Sequence, residues 1–401
     1  MKTDSFNLSD SKANSPDSKS GGIYIHIPFC IRKCDYCDFY SITDFSLIPD
    51  FVSALIREMG MMSFHADFPC DTLYLGGGTP SVLKPEQIRR ILEAAFEYFD
   101  LRSQAEITLE ANPGTLSPES LREFRNMGIN RLNIGVQSFS DENLAFLGRI
   151  HTAQDAALAL KSAEKAGFDN MGLDLIYALP GQSEKDWRAD MEQALAFAPA
   201  HLSCYMLTYE SGTRLTQKME KGIFSPLEEE SSGNLFEFTV NFLESKGYAQ
   251  YEISNFARSP ELQSLHNRKY WSFAPYIGLG PAAHSFLPPQ RRWNCRSVTA
   301  YIDLLKQNIL PEAGKEFLTS EQQMLEAVYL GLRKKEGILI REFEKRFAVC
   351  FDDLFGELRK ELKKKGFLET DAARCALSVP GMRFLDSITS LFADQIPEIN
   401  S

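Results

Sequence analysis

Two kinds of segment alternate along the first half of the chain, and their hydrophobic patterns differ. Short, mainly apolar runs predict buried strands at 23–27, 72–75, 106–109, 131–136, 170–177 and 201–207. Between them, helical patterns and helix start and stop signals predict helices at 49–64, 85–99, 117–128, 152–166 and 183–197. Strands that alternate with helices form parallel sheets, and six units fall short of the eight in a closed barrel. We therefore predict an α/β fold built on a partial, open (β/α)6 barrel over residues 21–225.

Two further regions follow the predicted barrel. Residues 226–315 begin with an amphipathic helix at 227–247 and a short strand at 251–255, and then become rich in aromatic side chains. Residues 316–401 predict helices at 321–332, 340–347 and 351–365, followed by a hairpin with strands at 366–368 and 375–379. Helices followed by a hairpin indicate a winged-helix-like α+β domain. Residues 331–370 hold 11 Lys and Arg against 8 Asp and Glu, so we expect protein docking or substrate covering rather than DNA recognition.

Composition and charge narrow the possible partners and compartment. The chain has 401 residues and a net charge of −11, which gives no general electrostatic reason to bind nucleic acid. Residues 1–20 are rich in Ser and Asp, lack the apolar core of a signal peptide, and are predicted to form a disordered tail. No run of about 18 apolar residues is present, as a membrane span would require. With eight cysteines that do not resemble a disulfide framework, these features predict a cytoplasmic protein.

Three cysteines lie within eight positions directly after the first predicted strand. Pro28 ends that strand, and Cys30, Cys34 and Cys37 follow on a loop with the spacing C-x3-C-x2-C. Thiolates hold iron–sulfur clusters, usually four to a cluster, so three suggest a [4Fe–4S] cluster with one iron open to another ligand. A zinc site that takes its fourth ligand from a distant cysteine is the alternative.

Polar residues and glycines follow several of the predicted strands. In parallel sheets the carboxyl ends of the strands meet at one mouth, where binding sites form. Those ends carry the cysteine loop, a turn at 76–79 that contains three glycines, and Glu110, Gln137, Asp174 and Tyr209. Glycine has no Cβ, so the turn would let a ligand approach the backbone, although a tight turn into a helix would have the same composition. We expect all of these groups to converge on one site.

The cysteine spacing resembles that of the radical S-adenosylmethionine (SAM) superfamily, in which SAM completes the open iron of the cluster. The sequence from Tyr24 to Cys30 is similar to the branch that contains the oxygen-independent coproporphyrinogen III oxidases and the HemW haem chaperones. The resemblance covers roughly residues 22–286 and implies the same partial barrel. It also implies that SAM is contacted by Tyr24, Tyr36, Gly77, Gly78, Thr79, Glu110, Gln137, Arg149 and Asp174. Valine at position 78 would then block SAM and leave the barrel folded. A structural ion pair between Glu110 and Arg149 is the alternative interpretation of those two residues.

Within this branch, the chain is more similar to the HemW proteins than to the oxidases. Phe39 stands where the oxidases have a fourth cysteine, and the motif H-N-x-x-Y-W runs from His266 to Trp271. Only 29 residues precede Cys30, whereas the oxidases use a long N-terminal segment to form their substrate site. The resemblance implies a haem chaperone in which His266 is a candidate haem ligand. It further implies a haem-acceptor protein, such as a membrane-associated respiratory protein, and an electron donor such as flavodoxin or ferredoxin. An oxygen-independent coproporphyrinogen III oxidase is the alternative function.

Overall fold

The computed structural model describes residues 20–397, and a twelve-stranded sheet forms its centre. The first six strands pair in chain order, each parallel to the next. They are β1 (Gly21–Ile27), β2 (Cys70–Gly77), β3 (Leu101–Ala111), β4 (Arg131–Gln137), β5 (Met171–Tyr177) and β6 (His201–Met206). The outer strands β1 and β6 pair with later strands and not with each other, which confirms the predicted open (β/α)6 arrangement.

Helices connect these strands. They are α1 (Ile48–Met62), α2 (Pro85–Tyr98), α3 (Pro118–Asn126), α4 (Asp141–Phe146), α5 (Ala153–Lys165), α6 (Glu184–Leu195) and α7 (Arg214–Glu220). Helices α3, α5 and α6 begin after Ser117, Thr152 and Ser183, whose side chains accept a backbone N–H of the first turn. The short helices α4 and α7 were not predicted, because two turns or fewer carry too little of the periodic pattern.

The extension predicted over residues 226–315 adds strands to both edges of the same sheet. Beside β6 lie β8 (Asn255–Ala257) and β7 (Ala249–Gln250), and beside β1 lie β9 (Tyr276–Leu279), β10 (His284–Leu287), β11 (Gln290–Asn294) and β12 (Glu312–Phe317). Its helices are α8 (Glu229–Ser245), α9 (Leu265–Trp271) and α10 (Val298–Lys306). The strand predicted at 251–255 is misplaced. The Glu252 side chain accepts the N–H of Ser254 at 2.8 Å and turns the chain there, so the strand starts only at Asn255.

The last region has the three helices and the hairpin that its pattern predicts, and it adds a two-residue strand and two C-terminal helices that were not predicted. Its helices are α11 (Ser320–Arg333), α12 (Ile340–Phe347), α13 (Phe351–Lys364), α14 (Val379–Met382) and α15 (Leu385–Ala393). Its small antiparallel sheet consists of β13 (Ile338–Leu339), β14 (Leu368–Thr370) and β15 (Arg374–Leu377). Contacting rings of Phe343, Phe351, Phe355 and Phe392 fill the space between the helices. The predicted winged-helix-like α+β arrangement is confirmed.

The predicted tail over residues 1–20 lies outside the described residues, except for Ser20. This residue is buried, and its carbonyl accepts a hydrogen bond from Lys269 Nζ at 3.1 Å. The folded region therefore includes the last residue of the predicted tail. Among residues 20–397, no helix combines the length and the apolar character needed to cross a bilayer.

Candidate cofactor site

The inner face of the parallel sheet is polar. Side chains two residues apart on a strand point to the same face, and on β4 this face carries Asn133, Gly135 and Gln137. Strand pairing places Asn133 beside Glu110, and Gly135 beside Asp174. Strands buried in parallel sheets are usually apolar on both faces, so a polar inner face indicates a bordering ligand site. A cavity of about 700 Å³ lies against this face.

Most residues predicted to form one site line this cavity. They are Cys30, Cys34, Tyr36, Cys37, Gly77, Gly78, Thr79, Glu110, Gln137, Arg149 and Asp174. Two other candidates are placed elsewhere. Tyr24 stacks on Tyr74 with ring centroids 6.1 Å apart, and Tyr209 packs on Phe224 in a separate apolar cluster. The candidates expected to converge near the strand ends therefore do line one cavity, with the exception of Tyr209.

The cysteine loop is fastened to the fold at several points. The N–H of Cys30 donates to the carbonyl of Ile42 at 2.9 Å, which ties the start of the loop to the chain that leaves it. In the middle of the loop, Asp35 is buried and pairs with Lys218 Nζ on α7 at 2.5 Å. The Asp35 N–H donates to the carbonyl of Leu147 at 3.2 Å. These contacts hold the loop next to the two short helices that the sequence pattern did not predict.

Two of the three thiols have a polar neighbour, one from the end of β2 and one from the loop after α4. Thr79 Oγ1 donates toward Cys30 Sγ, and Arg149 Nη1 donates toward Cys34 Sγ, each at 3.4 Å. Hydrogen-bond donors and positive charge favour the thiolate, which is the form that binds metal. Burial raises the pKa of the Cys37 thiol to about 11, so metal binding near neutral pH must displace its proton.

The glycines of the turn at 76–79 are required by the protein's own packing. Gly77 has a φ of 107°, and a Cβ there would lie 2.5 Å from His26 Nδ1. A Cβ on Gly78 would lie 2.8 Å from the carbonyl oxygen of Ile27 and 2.9 Å from that of Phe29. The expectation that Gly78 leaves room for a ligand is therefore wrong, because the end of β1 fills that space. The backbone of the turn still lines the cavity.

Glu110 faces the cavity and is held by two donors. Tyr74 Oη donates to Oε1 at 2.7 Å, and the N–H of Gly77 donates to Oε2 at 3.1 Å. Arg149 instead donates to Cys34 and to the carbonyl of Gly135, so the alternative of an ion pair between Glu110 and Arg149 is not observed. Burial, together with the nearby Asp174, raises the pKa of Glu110 to about 7, although the two donors act to lower it.

We expect Glu110→Gln to remove a pH-dependent loss of stability near neutral pH. The folded-state pKa of about 7 lies above the ordinary value of 4.5, so the folded protein keeps a proton that the unfolded chain has released. The free energy of unfolding of the wild type therefore falls as pH rises through this interval, by at most about 3 kcal/mol. Glutamine carries no such proton, so the stability of the variant relative to the wild type should increase with pH. Denaturant unfolding at several pH values would measure this difference.

The control for this measurement is Glu142→Gln, because Glu142 is an exposed carboxyl on α4. Its stability relative to the wild type should stay constant over the same pH range. A constant difference for Glu110→Gln as well would contradict the raised pKa.

Four polar atoms around the cavity are buried without a hydrogen-bond partner among residues 20–397: Ser41 Oγ, Arg149 Nε, Asp174 Oδ1 and His201 Nδ1. The other carboxylate oxygen of Asp174 accepts from Asn133 Nδ2 at 2.7 Å. Burial raises the pKa of Asp174. Because buried polar atoms without partners are costly, these atoms indicate that a ligand completes their hydrogen bonding.

Gln137 reaches the cavity from an unusual backbone conformation. Its φ is 70°, and the pairing of β4 with β5 shifts register between Gly135 and Gln137. Positive φ at a residue other than glycine stores strain and often occurs at functional sites. A Cβ on Gly135 would lie 2.8 Å from Gln137 Nε2, so glycine at 135 makes room for this side chain. The sequence did not single out Gly135, because the irregular strand end is visible only in the fold.

The H-N-x-x-Y-W motif forms helix α9, and its histidine packs against the first residues of β1 and β2, next to Gly22 and Thr72. His266 is 1% exposed, and its two ring nitrogens are hydrogen-bonded to Thr72 Oγ1 at 2.8 Å and Tyr270 Oη at 2.9 Å. Burial lowers its pKa to about 3. Because both nitrogens are engaged within the fold, His266 could bind haem iron only if the ring left this position. The arrangement favours a structural role, in which His266 positions α9.

Several cavity residues were not predicted from the sequence. They are Arg131, Asn133, His201, Ser203 and Asn267. A detectable signal is present, because polar residues alternate with apolar ones along strands whose overall character is apolar. On β6, for example, His201 and Ser203 alternate with Leu202 and Cys204.

The donor set fits an iron–sulfur cluster and SAM. Cys30, Cys34 and Cys37 are unpaired cysteines on one cavity wall. Over residues 20–397, no three His, Cys, Asp or Glu side chains surround a position for a single metal ion. A four-iron cluster is larger and spreads its thiolate ligands further apart. The remaining walls offer carboxylates and a guanidinium, which suit the ammonium, hydroxyl and carboxylate groups of SAM.

Comparison with known proteins first defines the class of the fold. Residues 24–194 match the Radical SAM superfamily, and residues 318–384 match the HemN C-terminal domain. The structure of coproporphyrinogen III oxidase (HemN) from Escherichia coli, described as a radical SAM enzyme, aligns with a TM-score of 0.81. That alignment covers 93% of this chain and 90% of that chain at 22% identity, which establishes a shared fold. The chain thus has a radical SAM domain followed by a C-terminal domain of the HemN type.

Proteins called heme chaperone HemW are similar to this chain over nearly its whole length. The protein from Lactococcus lactis is 35% identical, with 93% of this chain and 97% of the relative covered. The Bacillus subtilis protein is 34% identical, with 93% and 99% covered, and the Escherichia coli protein is 34% identical, with 92% and 97% covered. The chain belongs to the HemW family of the radical SAM superfamily.

Proposed function

We propose that this protein is a haem chaperone that binds haem and delivers it to an acceptor protein, and that it also holds a [4Fe–4S] cluster and SAM. The main support for the proposal is that the sequence is 35% identical, over 93% of this chain, to a protein called heme chaperone HemW. That similarity includes the extension and the C-terminal domain. It is therefore not limited to the cofactor-binding half that many radical SAM proteins share.

In this proposal, Cys30, Cys34 and Cys37 bind three of the four irons. When bound, the cluster supplies an electron and an open iron for the amino and carboxylate groups of SAM. The side chains around the cluster support this arrangement, because Thr79 and Arg149 direct donors at two of the thiolates. Arg149 keeps one buried N–H without a partner among the described residues, and this donor can bind a carboxylate.

The other strand-end residues would hold the remainder of SAM. One carboxylate oxygen of Asp174 is unpartnered within residues 20–397, and Glu110 lies on the same cavity wall. Carboxylates of this kind can accept hydrogen bonds from ribose hydroxyls or an ammonium group. Gln137 can donate or accept through its amide, and Tyr36 closes the cavity beside the cysteines. Tyr24 lies outside this lining, so any influence on SAM would pass through its neighbours.

A second candidate function is that of an oxygen-independent coproporphyrinogen III oxidase, which the shared fold favours. Phe39 favours the chaperone assignment over the oxidase assignment. It lies at the cavity and is 68% exposed, at the position where the oxidases have a cysteine. A phenyl ring can neither bind metal nor transfer a proton, as a thiol can.

The proposed partners follow from the same assignment. An electron donor such as a flavodoxin or ferredoxin would reduce the cluster, and the positively charged Arg32 and Lys33 on the cysteine loop suit docking of an acidic carrier. The haem acceptor is proposed to be a haem protein, such as a membrane-associated respiratory protein, reached from the cytoplasm.

One reconstituted sample tests the proposal against the oxidase alternative. After anaerobic incorporation of iron and sulfide, the protein should bind ferric haem, visible as a Soret band, and pass it to an apo-haem protein. With SAM and a reductant it should form no protoporphyrinogen from coproporphyrinogen III, whereas a bacterial coproporphyrinogen III oxidase does so under the same conditions. Steady protoporphyrinogen formation, or failure to bind haem, would overturn the chaperone assignment.

A further inference from the structure

A second cavity, of about 350 Å³, lies between α9 and the C-terminal helix α11 and shares no lining residue with the cysteine cavity. Six of its nine lining residues are aromatic: Tyr270, Trp271, Phe273, Tyr276, Phe286 and Tyr329. They come from the H-N-x-x-Y-W motif, from the strands beside β1 and from the C-terminal domain. The cavity therefore exists only where these three parts of the chain meet.

The rings form walls rather than a filled core. Tyr270 and Tyr276 meet edge to face, with centroids 4.8 Å apart and planes at 89°. Phe286 continues this row of ring contacts, with its centroid 6.3 Å from that of Tyr276 and 5.8 Å from that of Phe273. Aromatic side chains in this arrangement cover flat apolar molecules well. A volume at the small end of the range for ligand pockets would hold one edge of a large macrocycle and leave the rest exposed.

Three arginines stand against the aromatic residues of this cavity. Two of them already form ion pairs: Arg291 with Glu326 at 2.9 Å, and Arg333 with Glu252 at 2.8 Å. Arg346 lies 4.0 Å from the centre of the Phe273 ring and takes part in none of the ion pairs found among residues 20–397. The carboxylate near it, Glu326, also lines the cavity but is already paired with Arg291. The charge of Arg346 is therefore only partly offset and can attract an anionic ligand.

Trp271 adds a hydrogen-bond donor without a partner, within the described residues, to the same cavity. Its indole Nε1 has no hydrogen-bond partner within the described part of the chain, although the atom is buried and the ring faces the cavity. The guanidinium of Arg333 lies 4.5 Å from this ring, which adds positive charge nearby. A buried N–H without a partner is costly and indicates that an acceptor is missing.

We propose that this aromatic cavity receives one edge of haem, with its walls against the macrocycle and with the propionates directed toward Arg346 and Trp271 Nε1. The inference rests on the proposed chaperone function and assigns its binding site. Haem suits the cavity because it joins a flat apolar ring to two carboxylates, and the cavity joins aromatic walls to unpaired donors. An exposed remainder of the macrocycle would stay accessible to an acceptor.

This assignment also gives the motif a physical role that does not need His266 as a ligand. His266 holds the hydroxyl of Tyr270 from the buried side of α9, and the next turn brings Tyr270 and Trp271 to the cavity. The histidine would thus position the aromatic wall. The C-terminal helix α11 covers the haem edge from the other side, which is the substrate-covering role expected for that domain.

Filling the cavity is the first test. Leu330→Trp places a large ring into it from α11, and Leu325→Trp makes the same change at a 37% exposed position of that helix that does not line the cavity. In titrations of the full chain with ferric haem, Leu330→Trp should weaken binding by about tenfold or more, and Leu325→Trp by less than about twofold. Circular dichroism and thermal unfolding would verify that both variants fold.

Reversing the charge at the rim is the second test, and it avoids the core. Arg346→Glu, beside the Phe273 ring, should weaken binding of ferric haem by about fivefold. Arg341→Glu, at an exposed position of the same helix, should have less than about a twofold effect. Haem dimethyl ester has no free propionates, so its binding should not distinguish Arg346→Glu from the wild type.

The outcomes separate this inference from the function on which it rests. Wild-type affinity for ferric haem in both Leu330→Trp and Arg346→Glu would overturn the cavity assignment and leave the chaperone proposal intact. If the wild-type chain bound no haem, the chaperone proposal itself would fall, and the cavity assignment with it.

Discussion

Replacing Cys34 with alanine is expected to abolish assembly of the [4Fe–4S] cluster while leaving the fold intact. Three cysteines of the described chain line the cavity, so the variant would keep two protein thiolates for a cluster that usually needs more. Cys34 is partly exposed, and its sulfur contacts the fold mainly through Arg149, so truncation removes little packing. The loop stays fastened by Asp35, whose ion pair and backbone hydrogen bond do not involve the thiol.

The measurement is iron and sulfide content after anaerobic reconstitution, together with visible absorption. The wild type should reach about four of each per chain, and Cys34→Ala should fall close to none. Cys295→Ala is the matched control, because Cys295 is also partly exposed but does not line the cavity. A full complement of iron and sulfide in Cys34→Ala would contradict the assignment, and one zinc ion per wild-type chain would favour the zinc alternative.

Gly78→Val is expected to destabilise the protein and to remove the cofactor site together. A Cβ at this position would lie within 3.0 Å of three backbone atoms, the carbonyl oxygens of Ile27 and Phe29 and the N–H nitrogen of Phe29. Backbone atoms cannot move aside as a flexible side chain can. The same segment accepts hydrogen bonds from Gly78 at 2.9 Å and Thr79 at 2.8 Å, so any shift breaks the contact between the turn and the start of the cysteine loop. The expected loss of stability is on the order of 3 kcal/mol.

Denaturant unfolding of the unreconstituted chain would measure this loss. Gly114→Val is the matched control, because Gly114 also follows a strand end and a Cβ there meets nothing closer than 3.9 Å. The control should change stability by less than about 1 kcal/mol. If Gly78→Val bound SAM poorly but unfolded like the wild type, the packing explanation would fail, and the glycine would instead serve the approach of the ligand.

The H-N-x-x-Y-W motif shows that the residues of a family motif need not all contact the ligand. Its histidine, the natural candidate for iron, is enclosed between Thr72 and Tyr270. Its aromatic members instead reach the second cavity. A motif identifies residues that act together, but the part each one plays depends on which side of the helix faces a ligand.

The repeating units, the cysteine loop and the family can all be inferred from the amino-acid sequence alone. Strands and helices in the first half differ sharply in hydrophobic period, and parallel strands of this kind require their carboxyl ends to meet. The positions of Glu110 and Gln137 at predicted strand ends place them in one site, and Asp174, which lies in the middle of β5 rather than at its end, lines the same cavity. Helices α11, α12 and α13 of the C-terminal region are equally predictable, since each carries a clear apolar face.

The pairing of the strands at the sheet edges, and the reason that particular residues are needed, emerge only from the three-dimensional fold. Strands such as β8 and β12 are short or largely exposed, so their sequences carry little hydrophobic signal, and pairing with distant β6 and β11 defines them. The roles of Gly78 and His266 also depend on the fold, because a glycine or a histidine in a sequence is compatible with either a structural or a ligand-binding role. Their roles come from atoms of β1 and β2 that the fold brings within contact distance, and contacts between distant segments are the information that local pattern lacks.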